Sequence, residues 1–321
     1  MKLLDVKNLN IGFSIDDDVF SVVQGVSFSI EKGKLLGIVG ESGCGKSVTL
    51  MSILRLLPQN AVVNADYINF GGKNILNITE DEFRKIRGNK IALIPQDPLT
   101  SLNPLYTVGN QIIEVIMLHQ KVDKNKAREL AIEALRQVNI PEPEKRIDEY
   151  PHQFSGGMCQ RVIIAMALSC NPDLIIADEP TTALDVTVQA QIMKLFKEIQ
   201  QKLGTAIILV THDLALVSEV ADEVIVMYSG EIVEKAASSQ FFKNPKHPYS
   251  QGLLDSLPKE DVQRLKVING QPPSIKDKIT GCKFHPRCKC AMSKCSFEDP
   301  SVIVFEGGHG VSCWLYESGN V

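Results

Sequence analysis

The chain has 321 residues, 44% of them hydrophobic and 22% charged, enough for one large domain and a small one or for two modest ones. A formal net charge of −4 and a pI near 5.9 argue against a nucleic-acid partner, which a strongly basic balance would favour. The opening MKLLDVKNLNIGFSIDDD lacks the basic head and apolar run of a secretory signal, and no apolar stretch approaches the roughly 18 residues of a membrane span. The chain is therefore expected in the cytosol, reaching a membrane only through a partner.

Residues 3–39 alternate apolar and polar positions between turn signals, which predicts several short strands ending in a buried one, LLGIV. A glycine-rich loop follows, then KSVTLMSILRLL at helical spacing, stopped by Pro58. A second buried strand, KIALIPQ, ends at Gln96. Residues 97–170 read as helical, with Leu130, Ala134, Leu135 and Val138 on one face of KARELAIEALRQV. Strand-like runs return at DLIIAD and AIILVTH, separated by the helix QAQIMKLFKEIQQKL and its terminating Gly204. This alternation predicts an α/β fold with a mainly parallel sheet and helices on both faces. After VIVMYSGEIVEK the pattern turns irregular and proline-rich, so the boundary is set near residue 236. Residues 1–236 form one domain and 237–321 an extension.

The motif GESGCGKS fits G-x-x-x-x-G-K-[ST] and lies between a buried strand and a helix. Its glycines let successive N–H groups curl round a phosphate, with the following helix N-terminus aimed at the same anion. The expected nucleotide contacts are Gly40, Glu41, Ser42, Gly43, Cys44, Gly45, Lys46, Ser47 and Val48, with Lys46 on the β/γ-phosphates and Ser47 on Mg²⁺. LIIADEP delivers two carboxylates to the C-terminal edge of a strand. Asp178 there is expected to hold Mg²⁺, and Glu179 to polarise the attacking water. Ser155, Gly156 and Gly157 in QFSGGMCQ make a second anion-binding helix start.

Two such elements for one nucleotide call for an explanation, and the order of motifs supplies one. Phosphate loop, glutamine, SGGM, DE, ALD and histidine together resemble the ATP-binding-cassette ATPases. The resemblance implies a cassette with a RecA-like core, an antiparallel β subdomain, a helical subdomain at about 97–170 and a small irregular cysteine-rich C-terminal extension. In that family two cassettes pair head to tail, so Ser155, Gly156 and Gly157 would contact the ATP held by a partner. By the same resemblance Gln96 senses Mg²⁺ and the transporter contact, Asp185 lies at the dimer seam, and His212 contacts the γ-phosphate and orients the water. Phe13, preferred to Phe20 on spacing, would stack on adenine. Cys159 departs from the pattern, standing where arginine is expected after SGGM.

PQDPLTSLNPLYTVGNQI, HPYSQGLLDSLP and INGQPPSI narrow the resemblance to the ATPase subunits of bacterial dipeptide and oligopeptide permeases, and more to the D-type chain than its F-type partner. Such systems imply a second ATPase chain (the F-type subunit or another copy), two transmembrane permease subunits and an extracytoplasmic solute-binding protein. They place the chain at the cytoplasmic face of the membrane. Importers of nickel, haem or other small solutes are the alternative, followed by a soluble cassette ATPase outside transport.

Eight cysteines are present, five of them in the last forty residues. In a reducing compartment clustered thiols are more often metal ligands than disulfides. Cys282, Cys288, Cys295 and Cys313 match four cysteines of the permease tail, leaving Cys290 as an extra. The resemblance favours a [4Fe–4S] cluster, with zinc and unligated thiols as alternatives. His285 reads as an ordinary packing or surface histidine.

Overall fold

The computed structural model describes every residue except 17, 183, 258–266 and 318–321. Strands β1 (Lys2–Ile15) and β2 (Asp18–Glu31) are hydrogen-bonded neighbours of 14 residues each, where several short strands were expected. Asn8 and Gly25 take positive φ, and their N–H groups turn to the Ser27 hydroxyl and the Asn10 side-chain oxygen. The alternation breaks there while the strands continue. Next come β3 (Leu35–Val39), buried at every residue, and α1 (Lys46–Ile53). That helix stops before Pro58, because Arg55 enters the left-handed region at φ 53°. Strands β4 (Ala61–Asn64), β5 (Tyr67–Phe70) and β6 (Lys73–Asn74) complete the first sheet, with β4 and β5 both antiparallel to β1.

The middle of the chain holds α2 (Glu80–Arg84), β7 (Ile91–Ile94), α3 (Pro98–Ser101), α4 (Val108–Gln120), α5 (Lys124–Gln137), α6 (Pro143–Arg146) and α7 (Gly156–Leu168). Helix character over 97–170 agrees with its periodicity. On α5 the buried stripe is Ala127, Ala131, Ala134 and Leu135, with Leu130 only half-buried. Strand β8 (Leu174–Asp178), helix α8 (Val186–Leu203) and strand β9 (Ala206–Thr211) follow, and Gly204 ends α8 at φ 66° as expected. Strands β7, β8 and β9 run parallel, with Ile91 opposite Leu174 and Leu174 opposite Ala206. Apolar side chains fill both faces of β8 and β9, the pattern of a doubly covered parallel sheet.

The remainder contains α9 (Leu214–Val220), β10 (Glu223–Tyr228), β11 (Glu231–Ala237), α10 (Ser238–Lys243), α11 (Pro248–Asp255), β12 (Val302–Val304) and β13 (Gly310–Ser312). Strand β10 is parallel to β3 and antiparallel to β11. The extension is less irregular than expected, since β13 pairs with β11 and β12 with β13. The boundary proposed near 236 falls inside β11. A buried carboxylate ties these parts together: Glu234 accepts the N–H groups of Lys246 and His247 and contacts His309 Nε2 at 2.6 Å. Val226, Tyr228, Phe241, Tyr249 and Phe284 share one apolar core.

The described residues divide into two compact units. One comprises residue 1, 31–34 and 75–210, and the other 2–30, 35–74 and 211–321. The phosphate loop belongs to the second, the carboxylates and the SGGM helix to the first.

Candidate nucleotide site and the cysteine segment

The phosphate loop owes its shape to three glycines with positive φ: Gly40 at 153°, Gly43 at 79° and Gly45 at 100°. At Gly40 a Cβ would stand 2.2 Å from the Met227 carbonyl oxygen and 2.8 Å from Cys44 Sγ, so no other residue fits. Gly45 opens α1 without any side-chain cap. A helix start without a side-chain cap is the kind of terminus at which anions bind. Lys46 is 5% exposed, and its Nζ donates to the carbonyl oxygens of Gly40 at 2.8 Å and Glu41 at 3.0 Å. A buried ammonium needs such acceptors, and they fix it beside the loop. Burial pushes the Cys44 thiol up, with the Lys46 charge pulling the other way. Ser47 is exposed and Val48 half-buried on α1.

In the other unit β8 buries Leu174–Asp178 and hands over to Glu179, which sits in the left-handed region at φ 46°. A non-glycine residue there is strained, and such strain collects at functional positions. Two donors aim the Glu179 carboxylate: Gln96 Nε2 at 3.0 Å and the Thr182 hydroxyl at 3.1 Å, both on Oε2. Gln96 and Glu179, 83 positions apart, are thus brought together. Thr182 was missed; its only sequence signal was its place in TTALD. Asp178 is 5% exposed at the end of the strand.

Ser155 caps α7, its hydroxyl accepting the Met158 N–H at 3.3 Å, and is itself exposed. Gly157 is required by packing, since a Cβ would meet Val188 Cγ1 at 2.7 Å. Asp185 caps α8 by accepting the Val188 N–H at 3.0 Å. Cys159 is fully buried, its thiol facing the Pro151 carbonyl oxygen at 3.5 Å. A charged arginine side chain at this position would have no solvent. His212 is exposed just past β9.

A cavity of about 460 Å³ is lined by Glu41, Ser42, Gly43 and Cys44 of the phosphate loop, by Val19–Val22 and by 271–279 of the extension. Phe20 lies on its wall and Phe13 does not; both are half-buried.

The cysteine segment folds on itself. Cys282 N–H donates to the Cys295 carbonyl at 2.9 Å, and a 3₁₀ turn at His285–Arg287 leads to Cys288. His285 Nδ1 lies 2.9 Å from the Cys282 carbonyl oxygen, a local turn contact. Burial pushes the Cys288 and Cys313 thiols up to about 11, and neighbouring thiols add to it. Cys290, then Cys282 and Cys295, raise Cys288; Cys282, Cys288 and Cys295 raise Cys313. The four cysteines singled out from the sequence thus influence one another, and the exposed Cys290 acts on Cys288. Among the described residues, however, no group of three or more His, Cys, Asp or Glu side chains is close enough to hold a metal ion. That finding bears on zinc and on an iron–sulfur cluster alike. The thiols are of the donor type that a four-iron cluster takes.

The chain matches the family model "ABC transporter" over residues 23–182 and "Oligopeptide/dipeptide transporter, C-terminal region" over 233–295. It is 48% identical to a probable peptide ABC transporter ATP-binding protein of Sinorhizobium fredii, over 97% of this chain and 94% of the relative. It is also 48% identical to the dipeptide transport ATP-binding protein DppD of Bacillus subtilis, over 98% of this chain and 95% of that one. Among solved structures, a dimeric bacterial ABC transporter cassette, MJ0796, aligns with a TM-score of 0.65 at 27% identity, covering 73% of this chain and 98% of that one. Among the described residues no helix is long and apolar enough to cross a membrane. With a phosphate loop, an oriented carboxylate and a capped SGGM helix in one chain, and likeness running through the extension, the protein belongs to the ATP-binding subunits of ABC transporters.

Proposed function

We propose that this ATPase energises the import of dipeptides or oligopeptides through a membrane ABC transporter. The observation that carries the substrate reading is the extent of the likeness: the dipeptide transport protein of Bacillus subtilis is matched across 98% of the chain, extension included. A nickel or haem importer remains the competing reading. It is tested by uptake of labelled dipeptide, nickel and haem in cells with and without the gene. Loss of nickel or haem uptake with dipeptide uptake intact would reject the peptide reading.

Residues 1–236 act as the cassette and 237–321 as its extension. ATP is held by Gly40–Val48. Mg²⁺, when bound, neutralises charge on the transferring phosphoryl group, and Ser47, Asp178 and Gln96 are its proposed ligands. Glu179, aimed by Gln96 and Thr182, takes the proton of the attacking water, and His212 orients that water. Two cassettes close head to tail, so that Ser155, Gly156 and Gly157 donate to the γ-phosphate of the partner's ATP and Asp185 lies at the seam. The partner is an F-type ATPase chain or a second copy, and the pair drives two permease subunits fed by a solute-binding protein at the cytoplasmic face of the membrane. Adenine stacks on an aromatic of the β1–β2 hairpin: Phe13 by its spacing in the sequence, with Phe20, on the cavity wall, as the alternative.

Glu179→Gln should keep ATP affinity while turnover falls on the order of 10²–10⁴-fold, the range of a lost general base. Turnover within threefold of the parent would remove Glu179 from this role.

Cys282, Cys288, Cys295 and Cys313 hold a [4Fe–4S] cluster, which staples an extension with little core of its own. Protein purified without oxygen should be brown, with four iron and four sulfide per chain, the stoichiometry of that cluster. A colourless, zinc-loaded preparation would overturn this assignment.

A further inference from the structure

The phosphate loop is gripped from outside by the cysteine segment. Arg287, one residue before Cys288, has a side chain only 5% exposed. Its Nη1 reaches Glu41 Oε2 at 2.5 Å and its Nη2 reaches Glu41 Oε1 at 2.9 Å, a two-pronged pair with the second residue of GESGCGKS. Nη1 also donates to the Tyr228 hydroxyl at 3.3 Å, and Nε to the Asn269 carbonyl at 3.0 Å. The Glu41 backbone is held as well, its N–H donating to the buried Tyr249 hydroxyl at 2.9 Å. Phe284, two residues after Cys282, packs edge-on against Tyr228 at 5.1 Å and tilted against Tyr249 at 5.3 Å. One short turn therefore places both the guanidinium and the Phe284 ring behind the loop.

Glu41 presents an electrostatic problem that this arrangement solves. A carboxylate inside a loop built to receive phosphates repels its ligand unless its charge is matched. Arg287 matches it, and the bidentate geometry also fixes where the carboxylate points.

We propose that Arg287 is a positioning residue of the nucleotide site, neutralising Glu41 and holding the phosphate loop in its receiving shape, so that the cysteine segment and bound nucleotide are coupled. Coupling of this kind is reciprocal: whatever orders the turn at 282–288 tightens nucleotide binding, and nucleotide orders the turn.

The test uses the full chain, with MgADP and a non-hydrolysable ATP analogue titrated calorimetrically. Arg287→Met should raise both Kd values, and the KM for ATP, about tenfold, with kcat within twofold. Arg287→Lys, which keeps charge but not the fork, should fall between. The decisive variant is the double substitution E41Q/R287M. Removing the stranded carboxylate should bring Kd back to within threefold of the parent, whereas a merely structural loss would leave the double variant as weak as the single. MgADP should also slow amide exchange at 282–288 in the parent and not in Arg287→Met. An unchanged Kd in Arg287→Met, or no recovery in the double variant, overturns the proposal. Should Arg287→Met fail to fold, Arg287→Lys and the double variant against Glu41→Gln alone decide the same question.

Discussion

The protein carries two glycine-bearing helix starts, Gly40–Ser47 and Ser155–Gly157, and they are built differently. In Gly40–Ser47 the glycines are needed for conformation, because three of them have positive φ. The loop closes on its own buried lysine and is backed by the turn between β10 and β11, where Gly230 N–H donates to the Cys44 carbonyl at 3.0 Å. In Ser155–Gly157 neither glycine has positive φ, only Gly157 matters for room, and SGGMCQ has no basic residue. Ser155 is exposed at the helix start. The first is a finished pocket that supplies its own charge. The second is an exposed helix start with no charge of its own, which suits the partner-facing role proposed above.

The largest expected effect breaks the first element alone. Gly40→Ala sets a methyl group into the Met227 carbonyl and forces a strained φ, a cost of about 3 kcal/mol. Calorimetry should find no nucleotide binding, and the melting temperature should fall. Retained affinity would mean that the loop tolerates another path. The next effect isolates the second element. Ser155→Arg loses a helix cap, worth about 1 kcal/mol, and plants a bulky side chain on the exposed surface. Turnover should fall about a hundredfold or more, while the Kd for MgADP in the isolated chain stays within twofold. A weakened Kd would show that the two elements are not separable.

What was legible in the sequence follows the same division. GESGCGKS, LIIADEP and SGGM are local: each needs only a strand end, a turn and a helix start, so spacing and glycine positions display them. The helical stretch 97–170 was legible because its apolar residues repeat at 3.6. The β1–β2 pair was misjudged as several short strands because Asn10 and Ser27 repair the ladder from across the hairpin, which a window along one strand cannot register. Partners far apart in sequence were invisible for a related reason. Arg287 and Glu41 are separated by 246 positions, and nothing near either announces the other. Thr182 and Tyr249 stood in quoted motifs, yet their roles appear only with the fold. The four thiols were countable, but the Cys282–Cys295 backbone pairing and the turn at 285–287 that arrange their segment were not.

The smallest expected effect sharpens the comparison through pH. His247 caps α11 with its ring: Nδ1 accepts the Tyr249 N–H at 3.1 Å, and its own backbone N–H goes to Glu234. The residue is 1% exposed, and burial drives its pKa from 6.5 down to about 3. Because the folded value lies below the unfolded one, folding favours the neutral ring. Its contribution is fully present above about pH 6.5 and is lost as pH falls toward 3. Protonation removes the acceptor that starts α11, and α11 carries the Tyr249 hydroxyl that holds Glu41 N–H. Acid should therefore loosen the phosphate loop, while the SGGM helix, capped by a serine that does not titrate, keeps its start. His247→Asn retains a cap acceptor without a titrating ring, at a cost of about 1 kcal/mol near neutrality. Melting temperature and MgADP affinity, followed from pH 7.5 to 5, should decline less steeply in His247→Asn than in the parent. Parallel slopes would place the acid sensitivity elsewhere, and the phosphate loop would then depend on α11 for position but not for its response to protons.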